Sequence, residues 1–257
     1  MKVITVTNQK GGIGKTTTVL CLGAELETKG YKVLYIDLDK QADTSRTLRA
    51  DTDAKGSYNM LADRLPASEL IQVTESGHHV ITGNDRMATI DNVLNDPKRQ
   101  LGKEFLLKDS LESIKDKYDF VIIDTARDLN NATINALTDT DYIIIPATTD
   151  SFSQEGLITS LNVAGVIKRY TNKDLKIAGI LLTMYSDRSI INRAFKEEIS
   201  QLATEYNTKV FNTTIRQNVS IKECQALKEP ITTYAPKSNA HADYLAFTNE
   251  LLEDINA

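Results

Sequence analysis

The chain has 257 residues, 41% of them apolar and 25% charged, a balance that excludes a disordered or low-complexity protein and suits one large α/β domain. Its formal net charge is −5, with 18 Lys/Arg against 23 Asp/Glu in the first 150 residues and 12 of each thereafter, so any nucleic-acid binding needs a local basic patch. No run approaches the ~20 apolar residues of a membrane helix, Met1-Lys2-Val3-Ile4 carries no signal-peptide pattern, and Cys21 and Cys224 are too few for a zinc ribbon or disulfide framework; a cytoplasmic protein with reduced thiols is expected.

Short β-branched runs alternate with longer amphipathic stretches, the pattern of βα units around a parallel sheet. Val3–Thr7 reads as the first strand, followed by a glycine-rich loop and a helix from Lys15 to Thr28, with Gly30 as its stop. A strand at Val33–Ile36 comes next. From Ala50 to Lys117 the periodicity is weakest; a few short helices and a strand near Val80–Ile81 are expected there, with no chemistry assigned. Phe120–Ile123, Tyr142–Ile145 and Ile177–Leu182 are almost wholly apolar, as strands covered on both faces are. Phe152–Tyr170, Ile190–Tyr206 and His241–Ile255 have the length and period of covering helices. No linker or repeat divides the chain, so 1–257 is expected to be a single domain.

Lys10-Gly11-Gly12-Ile13-Gly14-Lys15-Thr16-Thr17 stands directly after the first strand and opens a helix. Backbone N–H groups and the helix dipole receive phosphates at such a place. The glycines allow close approach of the backbone, Lys15 can reach the β- and γ-phosphates, the Thr16 hydroxyl can bind Mg²⁺, and Thr17 supports the α-phosphate. Five fixed positions at this spacing arise by chance on the order of once in 10⁴ such chains. The fold this predicts is an α/β P-loop NTPase, a mostly parallel central sheet with helices on both faces. Two carboxylate positions follow apolar runs: Asp37 and Asp39 after Tyr35-Ile36, and Asp124 after Val121-Ile122-Ile123. Strand C-termini in an open α/β sheet point into the ligand crevice.

The loop departs from the ordinary phosphate-loop pattern, whose first glycine would fall on Gln9, and carries Lys10 instead. In this it resembles the deviant phosphate loop of the ParA/MinD group of ATPases. The resemblance implies that Lys10 reaches across a dimer interface to the partner's ATP, that Asp39, 24 positions after Lys15, orients the attacking water, and that Asp124 holds Mg²⁺ together with Thr16 and Asp39. Gln41 continues the family's Asp-x-Asp-x-Gln pattern. After Asp124 the family places a proline-containing turn; here the run is Thr125-Ala126-Arg127-Asp128, which predicts altered rigidity of that loop without loss of a ligand.

The likeness continues through Ile143–Pro146, Ser153–Leu157, Gly179–Arg188, Ile215–Val219 and Lys228–Ile231, segments similar to those of short ParA-type partition proteins. By that resemblance Asn218 lies in the adenine pocket and Arg188 is a DNA-contacting arginine. The family's other DNA-binding arginine falls on Gln217, and Arg216 supplies the charge from one position earlier; Lys222 and Lys237 are further candidates for phosphate contact. The implied activity is Mg²⁺-dependent ATP hydrolysis by a homodimer that binds double-stranded DNA non-specifically. A ParB-like centromere-binding protein would trigger release, placing the protein on the nucleoid and away from membranes. A membrane-cycling ATPase like MinD and a positioner of protein cargo on the nucleoid are the alternatives. His78, His79 and His241 offer no metal spacing.

Overall fold

Apolar runs of five to ten residues pair into strands, and the amphipathic stretches between them coil over the sheet. In chain order the elements are β1 (Lys2–Val6), α1 (Lys15–Thr28), β2 (Val33–Asp37), α2 (Asp43–Thr47) and α3 (Ser57–Ala62). Then come β3 (Gln72–Val73), β4 (His79–Ile81), α4 (Ile90–Leu94), α5 (Leu106–Leu111), β5 (Phe120–Asp124), α6 (Asn131–Asp139) and β6 (Tyr142–Ala147). The remainder is α7 (Ser151–Tyr170), β7 (Lys176–Tyr185), α8 (Ile190–Glu205), β8 (Ile215–Arg216), α9 (Val219–Leu227), α10 (Ile231–Tyr234) and α11 (Asn239–Asn256). This computed structural model describes residues 1–256, with the side chains of all but residues 151 and 152. Ala257, the last residue of the expected domain, lies outside the described residues.

The strands form one sheet in the order β3-β4-β2-β5-β1-β6-β7-β8. All pairings are parallel except β3 with β4. Both faces are covered, and alternate strand residues feed different cores. Ile4, Val6, Tyr35, Ile122 and Ile144 pack against Val19, Leu22 and Leu26 of α1 and Tyr244, Phe247 and Leu251 of α11. The other face is filled in two parts. Val3, Leu34, Ile36, Val121 and Ile123 meet α3, α5 and α6, while Ile143, Ile145, Ile180 and Leu182 meet α7 and α8.

The register places Val6 of β1 and Asp37 of β2 both opposite Asp124 of β5. Three neighbouring strands therefore end together, and the loops after them share one edge of the sheet, where a parallel α/β sheet forms its ligand crevice. Helix α1 runs as the periodicity predicts and stops at Gly30, whose φ of 88° suits a helix end. β1 is displaced by one residue, from Lys2 to Val6, because the Lys2 N–H already bonds the Asp119 carbonyl. α8 ends at Glu205, and Asn207 turns left-handed at φ 52° just beyond. Among the described residues no helix is long and apolar enough to cross a membrane.

Candidate active site

The β1–α1 loop is built to bring its backbone close to a ligand. Gly12 and Gly14 adopt φ of 77° and 90°, a region in which a Cβ is strained. Gly14 immediately precedes α1, and no side chain caps that helix, so its first-turn N–H groups face the loop's concave side with no intrahelical partner. Other elements hold the loop from outside. Asn8 accepts the Lys10 N–H at 3.0 Å and donates to the Pro146 carbonyl at 2.8 Å, and the Thr183 hydroxyl donates to the Ile13 carbonyl at 2.8 Å. These two anchors left no sequence signal, since each joins residues far apart in the chain.

Lys15 is 9% exposed and its ammonium donates to the Lys10 carbonyl at 2.9 Å. Burial holds its pKa below the ordinary lysine value, opposed by the charges of Asp124 and Asp39. The Thr16 hydroxyl donates to Oδ2 of Asp124 at 2.8 Å, and the Thr44 hydroxyl donates to the same oxygen at 2.7 Å. Oδ1 of Asp124 is buried with no protein partner. Burial pushes the Asp124 carboxyl up to about 7, and the charge of Asp37 on the adjacent strand adds to this. A buried carboxylate oxygen without a donor is costly by itself and is suited to a cation or a cation-bound water.

Asp37 does not reach the cavity. It is fully buried and accepts the Ser45 N–H and hydroxyl at 2.9 and 2.7 Å and the Asp39 N–H at 3.0 Å. Burial pushes its pKa to about 6. Its work is to fold the β2–α2 loop so that Asp39, which accepts the Gln41 N–H at 2.9 Å, borders the cavity.

That cavity has a volume of about 740 Å³ and is bordered by Gly11, Gly12, Gly14, Lys15, Thr16 and Thr17 on one side and by the β8–α9 segment on the other. The Gln225 amide of α9 donates to the Thr17 hydroxyl at 2.9 Å, joining the two walls. Asn218 borders the cavity, with its Oδ1 accepting the Ser220 N–H to cap α9. Lys222 borders it too. Lys10 does not line it; its ammonium lies 2.5 Å from Asp150, the residue that caps α7. Ile13 is buried and gives the site only backbone. Arg216 makes a two-pronged bond to Asp243, at 2.6 and 3.0 Å, with half its side chain exposed. Arg188, in the turn between β7 and α8, and Lys237, before α11, are both exposed.

The donor set fits magnesium with a nucleotide. Among the described residues no cluster of three or more His, Cys, Asp or Glu could hold a metal alone. One carboxylate and one hydroxyl beside an anion-binding loop is the protein share of a site in which Mg²⁺ keeps waters and phosphate oxygens as its other ligands. Thr44 was missed in the sequence, where its hydroxyl looks like any other near a helix start.

Known proteins resemble the chain in sequence and in fold. The AAA domain family model matches residues 1–177. The sporulation initiation inhibitor protein Soj of Bacillus subtilis (strain 168) is 35% identical over 254 residues, covering 97% of this chain and 98% of Soj. The chromosome partitioning protein ParA of Myxococcus xanthus (strain DK1622) is 32% identical over 255 residues, covering 98% of this chain and 88% of its own. A solved structure of cobyrinic acid a,c-diamide synthase from Mycobacterium smegmatis, with bound ADP and magnesium, superposes with a TM-score of 0.84 at 28% identity. It covers 100% of this chain and 96% of that one.

Proposed function

The chain belongs to the ParA/MinD family of partition ATPases, and from that premise we propose that residues 1–257 work as one ATP-driven DNA partition domain. ATP and Mg²⁺ occupy the cavity, two loaded copies associate, and the pair holds double-stranded DNA without sequence preference. Hydrolysis stimulated by a ParB-like centromere-binding protein then releases the DNA. The protein segregates plasmid or chromosomal DNA from the cytoplasm, on the nucleoid.

The observation that carries this reading is the Asp124 carboxylate, held by Thr16 and Thr44 through one oxygen and left with its other oxygen bare beside the phosphate loop. Bound Mg²⁺ would neutralise charge developing on the transferring phosphoryl group. The chain's own part is positioning. The first-turn N–H groups of α1 and the Lys15 ammonium hold the phosphates, Thr16 and Asp124 fix the cation, and Asp39 orients the attacking water and shares in the cation's water shell. Lys10 acts in the partner's site, which makes association conditional on ATP. Asn218 sits where the β8–α9 wall would meet the base.

Arg188 and Lys237 are exposed cations suited to DNA phosphate contact. Arg216 and Lys222 belong to the same proposed surface with their charges shared, the first with Asp243 and the second with the cavity. Contact through a few cations gives binding that falls steeply with salt. The test is fluorescence anisotropy of a random-sequence duplex with ATP, ADP or no nucleotide over a salt titration. Binding only with ATP, weakened by salt, is the expected result; equal binding in all three states would remove the nucleotide-gated cycle.

A further inference from the structure

The segment after β5 carries an arginine whose place in the fold has no role in the cycle above. The Arg127 side chain leaves the end of the Asp124 strand and returns over the phosphate loop, with its Cδ 3.9 Å from the point where a Cβ on Gly11 would stand. It borders the cavity together with Gly11, Lys15 and Asp39. Its charge is felt at Lys15, where it adds to burial in lowering the proton affinity of that ammonium. Within the protein its ion pair is weak: Asp128 lies 4.0 Å away and both side chains are about two-thirds exposed, at 68% and 65%, a pairing that holds a guanidinium in place very little.

Two contacts mark different parts of the cavity wall. The Gln225 amide of α9 meets Thr17, and Asn218 just before α9 borders the cavity too. Gly11, six positions before Thr17 in the loop, meets Arg127. On the nucleotide reading of this cavity, on which the inference rests, the base lies toward α9 and the phosphate chain ends toward Gly11. Lys15 is turned onto the Lys10 carbonyl, and Arg127, exposed beside Gly11, is a second cation at that end. A guanidinium offers a planar pair of N–H donors that matches two phosphate oxygens, which an ammonium cannot do.

We propose that Arg127 binds the terminal phosphate of a nucleoside triphosphate in its own chain, and that it thereby sets the preference for triphosphate over diphosphate. The post-β5 segment is then tied to the nucleotide only while the third phosphate is present.

Isothermal titration of AMPPNP and of ADP, each with Mg²⁺, into the wild-type protein and the Arg127→Gln and Arg127→Lys variants tests this. Arg127→Gln should bind AMPPNP about tenfold more weakly, the loss of one charge-assisted contact, with ADP affinity within about twofold of wild type on the same reasoning. Arg127→Lys should fall between. Equal weakening for both nucleotides, or no change in either, would overturn the assignment while wild-type binding left the nucleotide site standing. Failure of the wild type to bind either nucleotide would overturn the reading of the cavity and this proposal with it. The melting temperature without nucleotide separates these outcomes from misfolding, since the substituted side chain is mostly exposed.

Discussion

Lys15 and Asp124 are both buried beside the phosphate loop, where burial drives each toward its neutral form and the charge of the other drives it back. Removing either partner leaves the other buried beside groups arranged for a charge that is no longer there. Lys15→Ala should weaken Mg-ATP binding by about 100-fold, from loss of a charge-assisted contact in a low-dielectric site; titration with a fluorescent ATP analogue measures this, and near-wild-type affinity would count against the loop assignment. Asp39→Ala should retain ATP affinity while its phosphate release at saturating ATP falls by a factor of about 10² or more, the usual contribution of a water-orienting base. Brisk turnover would take Asp39 out of that role. The loop stands out in the sequence because it is local, written in adjacent positions with a strand before and a helix after, and Asp39 and Asp124 stand out because each follows an apolar run. Thr44 does not, since it reaches Asp124 across 80 positions and nothing in its neighbourhood distinguishes it from an ordinary helix-start hydroxyl. Thr183 is hidden for the same reason, its hydroxyl reaching Ile13 across 170 positions.

Helix α1 and strand β2 meet at a distance that only glycine permits. A Cβ on Gly23 would stand 2.2 Å from the ring of Tyr35, which is fully buried. Alanine in a helix interior is ordinarily favoured over glycine by roughly 1 kcal/mol, yet here overpacking dominates. Gly23→Ala should cost about 1–3 kcal/mol net, read from the urea midpoint at unchanged slope; a stabilised variant would mean that the helix can shift away from the sheet. The long elements announced themselves through periodicity. Between Ala50 and Lys117 the helices α3, α4 and α5 have only five or six residues each, fewer than two turns, too short for a 3.6-residue period to repeat. Their apolar residues still complete the core over β2 and β5, and β4 falls at His79–Ile81, beside the expected Val80–Ile81.

Across the whole molecule, the pH response depends on which carboxyls folding buries. Asp139 ends α6, the end of a helix that repels an anion. Burial pushes its pKa up to about 7, with Lys108 opposing. Folding therefore binds a proton there that the unfolded chain releases near pH 4. This contribution to stability is fully present below pH 4 and is lost as pH rises toward 7. Asp139→Asn should accordingly leave stability at pH 4 nearly unchanged and raise it by about 2 kcal/mol at pH 8, less than a fully buried carboxyl would give because the side chain is partly exposed. Thermal melts across that range would reveal it, and parallel pH profiles for the two proteins would refute it.

The contact between Lys10 and Asp150 bears on how a resting copy behaves. Under the proposed cycle, the ammonium that serves a partner's nucleotide is engaged at home, 2.5 Å from the carboxylate that caps α7. Association is then a barter of one ionic contact for another, and idle copies are kept from pairing by a restraint they carry themselves. Asn is as good a cap as Asp, so Asp150→Asn removes the restraint and spares the helix. It should tighten AMPPNP-dependent self-association by about threefold in sedimentation equilibrium, the scale of a part-exposed ion pair, and unchanged association would mean that Lys10 is not contested. Under the proposed cycle such a molecule would guard against premature assembly, and the strength of that guard would set how much ATP a population must bind before it acts together.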